Sequence, residues 1–308
     1  MISFSSTIDS TNADIECISV LLPLPLGRAY TYAVSVDLLA EHPLEIGDFV
    51  LVPLGTREVT GVIWDGQADN LPSAKLKYVL AKLETPRMSE TTRRFAEWVA
   101  NYNMASLGSV LKMFISVPDA LKPPKPITVY SLTMERPEIK MTEARVKVMK
   151  VLGFGDSLSA DVLSKKAGVG ASVIKNLVKL EALKVTNLPP PPTFKEPAWR
   201  ASGPTLSVEQ ATVANKIREF VKKGQFSALV LEGVPGSGKT EVYLEAVCQA
   251  LAQGKQALVL LPEIALGAQW LARFKERFGC APAEWHSDLT QAKRRITWRA
   301  VATGEAKV

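Results

Sequence analysis

Eight consecutive residues of this sequence have the types and the spacing that bind phosphate groups. They match the pattern G-x-x-x-x-G-K-[ST] in full and are Gly233, Val234, Pro235, Gly236, Ser237, Gly238, Lys239 and Thr240. Small residues let the backbone curl until successive N–H groups face an anion, and a helix N-terminus adds partial positive charge. We expect Lys239 to reach the terminal phosphates and the Thr240 hydroxyl to ligate Mg²⁺. The motif therefore predicts a site for ATP with Mg²⁺.

The residues around this loop predict the elements that hold it. Residues 228–232 predict a buried parallel strand before the loop, and a helix follows it as far as Ala252. Residues 256–261 predict a second strand, and residues 266–278 a second helix that ends at Gly279. This alternation is typical of the start of a doubly wound α/β sheet.

Two polar residues near the loop have more than one interpretation. Ser207 and Gln210 form a capping-box pattern at the start of a helix, and Gln210 is also a candidate for contacting adenine. Glu263 ends an apolar run, as a Mg²⁺-binding carboxylate does at the end of a strand. However, Pro262 interrupts that run and no second acid follows, so we do not assign Glu263 to Mg²⁺.

Length and composition exclude several protein classes. The 308 residues predict two or three domains, and 47% hydrophobic with 22% charged residues is typical of a folded, soluble protein. No apolar run is long enough to cross a membrane, and three acids precede the first basic residue, Arg28, which argues against a signal peptide. Cys17, Cys248 and Cys280 lie far apart and predict reduced thiols in the cytoplasm.

Charge and proline content divide the chain. The net charge of +6 combines −5 over residues 1–110, +7 over 111–200 and +4 over 201–308, which suggests a polyanion partner for the later parts. Proline-rich stretches begin at Lys122 and at Pro189, and consecutive prolines favour stiff spacers between folded units.

The first two parts have distinct patterns. The first predicts five short strands, at residues 15–22, 30–34, 48–54, 58–64 and 76–83, in the manner of a small barrel. A helix capped by Ser89 follows, with Phe95, Trp98, Val99 and Tyr102 on one face. The second part predicts three short helices, of which the first is capped by Thr142, the second by Ser159, and the third begins near Ala171. A strand follows them, and this order of elements is similar to a winged helix. Lys175 and Lys179 on the third helix are candidates for DNA-backbone contacts, or they simply solvate an exposed face.

Several segments together resemble a family of bacterial superfamily-2 DNA motors, the primosomal replication-restart helicases. The resemblance covers the chain in order and rests on residues 23–32, 47–55, 98–102, 107–111, 233–243, 261–274 and 285–289. Residues 261–274, which include Glu263, Gln269 and the pair Arg273-Phe274, resemble the family's motif Ia, and this makes Glu263 and Gln269 candidates for DNA-backbone contacts.

The resemblance implies a fold and its boundaries. The expected fold is multidomain α/β, with a small β-barrel-like 3′-end DNA-binding domain at 1–121 and a winged-helix domain at 122–188. A proline-rich linker at 189–200 and the first part of a RecA-like, doubly wound P-loop lobe at 201–308 follow. By position, Tyr30, Thr31 and Tyr32 line the pocket for a DNA 3′ end, where the family usually has an acid at the place of Thr31.

The resemblance also implies partners and chemistry. It implies an ATP-dependent 3′-5′ DNA helicase that recognises stalled forks with single-stranded and duplex arms and that assembles the restart primosome. Other primosome proteins and single-strand-binding protein are implied partners, with a cytoplasmic, nucleoid-associated location and no membrane contact. The general-base carboxylate, the arginine finger and a zinc-binding insertion are expected beyond Val308, so we expect no complete catalytic set and little ATP turnover from this chain alone.

Two other functions remain open at this point. One is a winged-helix DNA-binding regulator with a nucleotide-binding switch and no motor activity, and the other is a phosphotransferase that uses the phosphate-binding loop.

Overall fold

A computed structural model describes residues 16–66, 72, 75–134, 139–153, 155–261 and 264–308. The chain forms two compact units. The first unit combines Met1–Pro123 with Thr193–Val308, and the second is Pro124–Pro192. The second unit thus begins and ends within the two proline-rich stretches. The division of the first unit into an N-terminal domain and a P-loop domain remains a prediction.

A curled antiparallel sheet of five strands forms the N-terminal part of the first unit. The strand order is β2-β1-β4-β3-β5, with β1 at Glu16–Leu21, β2 at Tyr30–Val34, β3 at Phe49–Leu54, β4 at Arg57–Ile63 and β5 at Ala81–Lys82. Residues 77–83 contact both edges of this sheet. Val79 N donates to Ala33 O on β2 at 2.9 Å, and Leu80 N donates to Leu51 O on β3 at 2.8 Å. The five predicted strands are therefore confirmed, the last of them with only two residues in the ladder.

Apolar side chains are buried on both faces of this sheet. On one face, Ile18, Val20 and Val50 pack together with residues that follow helix α1 (Val36–Glu41). On the other face, Phe49 and Val62 pack against helices α2 (Glu90–Tyr102) and α3 (Leu107–Phe114). Alternation along each strand supplies both cores, because successive side chains point to opposite faces.

Helix α2 begins where the sequence predicts, but it buries a different face. The Ser89 hydroxyl accepts a hydrogen bond from Thr92 N at 3.2 Å and caps the helix. The predicted apolar row lies mostly in solvent: Phe95, Trp98 and Tyr102 are exposed, and Trp98 stacks on both of the others. The buried residues are Arg93, Ala96 and Ala100. Periodicity identifies residues that share a face, but small alanines allow the closer approach to the sheet.

The second unit combines three helices with a three-stranded sheet. The helices are α4 (Glu143–Val151), α5 (Ala160–Ala167) and α6 (Ala171–Lys179), as predicted, although the Ser159 side chain makes no capping hydrogen bond to α5. The strands β6 (Ile127–Leu132), β7 (Leu158–Ser159) and β8 (Leu183–Leu188) pair antiparallel in the order β7-β6-β8. Val148, Leu163, Ile174 and Leu177 form the centre of its core. The winged-helix assignment of this unit remains a prediction.

Four helices form the C-terminal part of the first unit. They are α7 (Val208–Lys223), α8 (Lys239–Ala252), α9 (Ile264–Phe278) and α10 (Gln291–Ala302). Leu244 and Val247 of α8 pack against Trp270, Phe274 and Phe278 of α9. Both helices that the sequence predicts on either side of residues 256–261 are confirmed.

The two parallel strands predicted beside these helices are wrong. Residues 228–232 and 256–261 form no strand in the described structure, and Val230, Leu258 and Leu260 are 87%, 85% and 83% exposed. Ala257 N donates one hydrogen bond to Lys307 O at 2.9 Å, which is too little for a ladder. A parallel strand obtains its hydrogen bonds from distant segments, and an apolar run cannot reveal whether such a partner is available.

Disulfide bonds and membrane-spanning segments are the two features that the sequence analysis did not expect. No disulfide joins Cys17, Cys248 and Cys280, and burial raises the pKa of each thiol. Within the described ranges, no helix combines the length and the apolarity that a membrane crossing requires.

Candidate phosphate-binding loop and DNA-contacting surfaces

The phosphate-binding motif forms a loop that leads directly into helix α8. Gly236 and Gly238 have φ angles of +81° and +79°, a region that favours glycine. Gly238 is the N-cap of α8, which begins at Lys239. The first N–H groups of a helix have no partner within the helix, so they can bind an anion at this end. The loop therefore fits the phosphate chain of a nucleotide.

Lys239 and Thr240 occupy the first two positions of α8. Lys239 Nζ donates hydrogen bonds to Gly233 O at 2.6 Å and to Val234 O at 2.9 Å. The ammonium group thus lies beside the first two residues of the loop. Thr240 follows in the first turn, and its hydroxyl would be a ligand for a Mg²⁺ ion bound with the nucleotide.

Gln210 connects helix α7 to the loop. Its N–H donates to the Ser207 hydroxyl at 3.2 Å, and its Oε1 accepts from Ser207 N at 2.9 Å, so the predicted capping box is confirmed. Its Nε2 also donates to Ser237 O in the loop at 3.0 Å. A Cβ on Gly238 would collide with that Nε2. The same side chain therefore caps α7 and holds the loop, while its contact with adenine remains a prediction.

An ionic cluster centred on the buried Glu245 joins helices α7, α8 and α9. The Glu245 carboxylate on α8 forms ion pairs with Arg218 on α7 and with Arg277 on α9. Arg277 Nη1 also lies 3.3 Å from Glu241 Oε2. Burial pushes the pKa of Glu245 upward, but hydrogen bonds from Arg277 and Arg218 outweigh burial and hold it below its usual value. Local sequence patterns do not indicate this cluster, because Arg218 and Arg277 lie 27 and 32 residues from Glu245 in the chain.

We expect the Glu245→Gln variant to lose stability at neutral pH and to lose pH dependence in acid. The substitution removes the ion-pair partner of Arg218 and leaves Arg277 with Glu241 alone, and breaking a buried pair typically costs about 3–5 kcal/mol. Because the folded-state pKa of Glu245 is lowered, its contribution is complete above the unfolded value of about 4.3 and is lost as pH falls through the folded value. Thermal midpoints measured from pH 7 to pH 3 should therefore converge for the two proteins.

Glu219 on α7 is exposed and supplies a matched control for this measurement. Glu219→Gln should lower the midpoint by far less at pH 7. Parallel curves for wild type and Glu245→Gln across the acid range would contradict the role assigned to the cluster.

The three candidates for a 3′-end pocket lie together on strand β2. Tyr32 is buried, and its hydroxyl donates to Pro53 O at 3.2 Å. Burial, and secondarily the nearby Tyr30, raises the pKa of Tyr32. Tyr30 packs partly buried against the same core as Tyr32. Alternation along the strand puts Thr31 on the opposite face from both tyrosines.

The candidates for contacts with the DNA backbone lie on separate helices. Lys175 and Lys179 are exposed on α6, and Gln269 is exposed on α9. Glu263 lies outside the described residues. Among the described residues, no hydrogen bond connects Gln269 to the phosphate-binding loop.

Sequence reasoning missed Trp298 and Arg299, on a helix it did not predict. Trp298 Nε1 donates to Phe114 O at 3.1 Å, and Arg299 donates to three carbonyl groups of the N-terminal part. Both residues connect α10 to the part of the unit that contains the curled sheet. Thr290 is a cap residue before a basic, apolar run and was the signal that could have located α10.

Two family models match separate parts of this chain. The model of the 3′DNA-binding domain (3′BD) of PriA matches residues 19–116, and the DEAD/DEAH box helicase model matches residues 209–308. The first covers the curled sheet with α2 and α3. The second covers α7 to α10 with the phosphate-binding loop.

The chain is also similar to replication restart proteins PriA from several bacteria. It is 29% identical to that of Haemophilus influenzae over 96% of this chain and 41% of the relative. It is 28% identical to that of Rickettsia conorii, over 94% of this chain and 33% of the relative. It is 34% identical to that of Bacillus subtilis, over 50% of this chain and 19% of the relative. The chain thus spans less than half the length of these relatives.

Proposed function

We propose that this chain, which belongs to the family of replication restart proteins PriA and matches their N-terminal portion, binds DNA 3′ ends and ATP in an ATP-dependent DNA helicase. The observation that carries the proposal is the combination in one compact unit of a phosphate-binding loop and a sheet that resembles a 3′DNA-binding domain. The 3′-5′ helicase activity, the recognition of stalled forks and primosome assembly belong to the whole protein and are part of this proposal.

ATP with Mg²⁺ is the nucleotide proposed for Gly233–Thr240. Two glycines with positive φ and the N-terminus of α8 support a phosphate cradle, and Lys239 lies where it can meet terminal phosphates. A Mg²⁺ ion held with the nucleotide would supply positive charge that favours phosphoryl transfer. Thr240 supplies one ligand to that ion, and Gln210 is proposed to contact adenine. Zinc remains an expectation for residues that this sequence does not contain.

DNA is the partner proposed for both units. The curled sheet is proposed to be a β-barrel-like domain with a 3′-end pocket at Tyr30, Thr31 and Tyr32. Because the two tyrosine rings face the core, Thr31 is the member of the three that faces away from it. The second unit is proposed to be a winged helix that uses Lys175 and Lys179 for phosphate contacts, with its lysines on the exposed side of α6 as support. Gln269, and Glu263 outside the described residues, are proposed contacts in the motor part.

The regulatory alternative receives less support than the motor. A winged-helix regulator with a nucleotide switch would not need a 3′DNA-binding domain before it or a DEAD/DEAH helicase match after it. A phosphotransferase would likewise not require the N-terminal match. Primosome proteins, single-strand-binding protein and a cytoplasmic, nucleoid-associated location stay with the motor proposal as expectations.

We expect a single-stranded oligonucleotide with a free 3′-OH to bind more tightly than the same oligonucleotide with a 3′-phosphate. A pocket that hydrogen-bonds the terminal hydroxyl loses that bond, and the added charge meets an N-terminal part with net charge −5. The lost interaction predicts a difference of about fivefold to tenfold in Kd. Fluorescence anisotropy at two salt concentrations measures it, and affinity for both oligonucleotides should fall with salt because counterions are released.

The matched variants are Thr31→Val on β2 and Thr60→Val on β4 of the same sheet. Thr31→Val should reduce the preference for the 3′-OH, whereas Thr60→Val should keep it. Equal binding of the two oligonucleotides by the wild-type chain would contradict the pocket.

A further inference from the structure

We propose that Trp298 and Arg299 are positioning residues that couple nucleotide binding at Gly233–Thr240 to DNA binding at the curled sheet. The inference deepens the proposed function and rests on it. The hydrogen bonds that these two side chains make in the described structure lead to Glu84, Phe114, Ala120 and Lys122, so each residue acts through the elements that it joins.

Arg299 fixes helix α10 to two separate segments of the N-terminal part. Its Nη1 donates to Ala120 O at 3.3 Å and to Lys122 O at 3.1 Å, and its Nη2 donates to Glu84 O at 2.9 Å. A guanidinium group holds its N–H donors in a rigid planar fork, so three carbonyl acceptors define its orientation. The two segments therefore cannot shift relative to α10 without losing hydrogen bonds.

Trp298 adds an apolar contact at the same place. Its ring packs edge-to-face on Phe49 of strand β3, with 6.4 Å between ring centroids, and it joins the core between the sheet and helices α2 and α3. Its Nε1 donates to Phe114 O, the last residue of α3. A side chain of the helicase-like part is thus packed into the core of the N-terminal part.

Hydrogen bonds continue from α10 towards the phosphate-binding loop. Gln256 Nε2 donates to Val301 O on α10 at 3.0 Å and to Ala306 O at 2.7 Å. Gln256 lies four residues after the end of α8, and α8 begins at Lys239 in the loop. A displacement of α8 by bound nucleotide would therefore reach the end of α10 that carries Arg299.

Hydrogen bonds also continue from Arg299 towards strand β2. Glu84, whose carbonyl accepts from Arg299, directly follows residues 77–83. In that segment Leu83 N donates to Phe49 O, and Val79 N donates to Ala33 O on β2. Ala33 is the neighbour of Tyr32 in the strand that carries the 3′-end candidates. One continuous set of contacts thus joins the two proposed binding sites.

The experiment is a thermodynamic cycle on the 308-residue chain. The Kd of a fluorescent, non-hydrolysable ATP analogue with Mg²⁺ is measured with and without a saturating 3′-OH oligonucleotide. The Kd of the oligonucleotide is then measured with and without a saturating concentration of the analogue. In the wild type each ligand should change the Kd of the other by the same factor, about fivefold or more, because coupling is reciprocal. If the wild-type chain binds both ligands but neither ligand changes the Kd of the other, the proposal is overturned.

The variants Trp298→Phe, Arg299→Ala and Arg299→Lys separate coupling from binding. Arg299→Ala should bring the factor to about one while each ligand alone keeps its Kd within about twofold. Arg299→Lys should restore part of the factor, because an ammonium group can reach only some of the three carbonyl groups. Trp298→Phe keeps an aromatic ring but loses the bond to Phe114 O, and it should also reduce the factor.

Arg295→Ala is the matched control, since Arg295 is exposed on the same helix and carries the same charge. It should leave the factor at the wild-type value. If Arg299→Ala unfolds, as judged by circular dichroism, the result for Trp298→Phe decides, and an unchanged factor there would overturn the proposal. A wild-type chain that fails to bind one of the ligands would instead overturn the proposed function.

Discussion

Replacing Lys239 with alanine should weaken ATP binding by about 10- to 100-fold and leave the chain folded. In the proposed site the ammonium group of Lys239 would make charge-assisted contacts to phosphate, each worth about 1.5–3 kcal/mol, and about 1.4 kcal/mol corresponds to a factor of ten in Kd. Alanine is also well accommodated at the first position of a helix, so α8 itself loses little. Titration with a fluorescent ATP analogue in the presence of Mg²⁺ measures the change.

Lys239 makes hydrogen bonds within the loop, so the thermal midpoint of Lys239→Ala must be measured beside its affinity for the analogue. Among the described residues its Nζ donates to Gly233 O and Val234 O, which lie in an exposed loop, so the loss of these bonds should not lower the thermal midpoint by more than a few degrees. Lys255→Ala removes the same charge from an exposed position beyond the end of α8 and should bind the analogue as the wild type does. Analogue binding at wild-type strength by Lys239→Ala would show that Gly233–Thr240 is not the nucleotide site.

Replacing Gly108 with alanine should destabilise the N-terminal part by about 3 kcal/mol, the upper end of what a forced rearrangement costs. Gly108 lies in helix α3, where alanine is intrinsically the better residue by about 0.5–1 kcal/mol. Tertiary contacts reverse that sign. A Cβ on Gly108 would overlap Leu24 O and lie 2.6 Å from Leu22 O, and both are backbone atoms that no side-chain rotation can move.

The consequence should extend to DNA binding. Gly108 N donates to Leu26 O at 3.1 Å, so α3 directly supports the chain that leads into strand β2 and its 3′-end candidates. We expect Gly108→Ala to lower the thermal midpoint by several degrees and to weaken oligonucleotide binding at the higher temperatures first. Differential scanning fluorimetry and anisotropy measure the two effects.

Gly267 in helix α9 provides a matched control for the glycine substitution. A Cβ there would meet nothing closer than Leu261 Cδ1 at 4.0 Å, so Gly267→Ala should be neutral or should stabilise the chain. A wild-type midpoint for Gly108→Ala would mean that the loop at residues 22–26 moves away without cost, and that the close approach of α3 to this loop is not needed.

The sequence by itself determined the features that depend on interactions between residues only a few positions apart. The loop Gly233–Thr240 and the start of α8 follow from glycine, lysine and threonine at fixed spacing. Ser89, Thr142 and the pair Ser207 and Gln210 cap the helices that were predicted for them, because a cap bonds to an N–H only two or three residues ahead. The β-branched, aromatic and leucine residues of the N-terminal part likewise predicted its five short strands, whereas the burial of both sheet faces is visible only in the structure.

Only the tertiary structure decided which of these elements meet, and on which face. Periodicity placed Phe95, Trp98 and Tyr102 together but could not tell that Ala96 and Ala100 would face the sheet. The apolar runs at 228–232 and 256–261 predicted strands, yet a ladder requires a partner that those residues do not encode. Arg299 and its three carbonyl acceptors lie 177 to 215 residues apart in the chain. The physical reason is the same in each case: hydrogen bonds and packing between distant segments depend on how the whole chain closes, and local residue patterns carry no record of that closure.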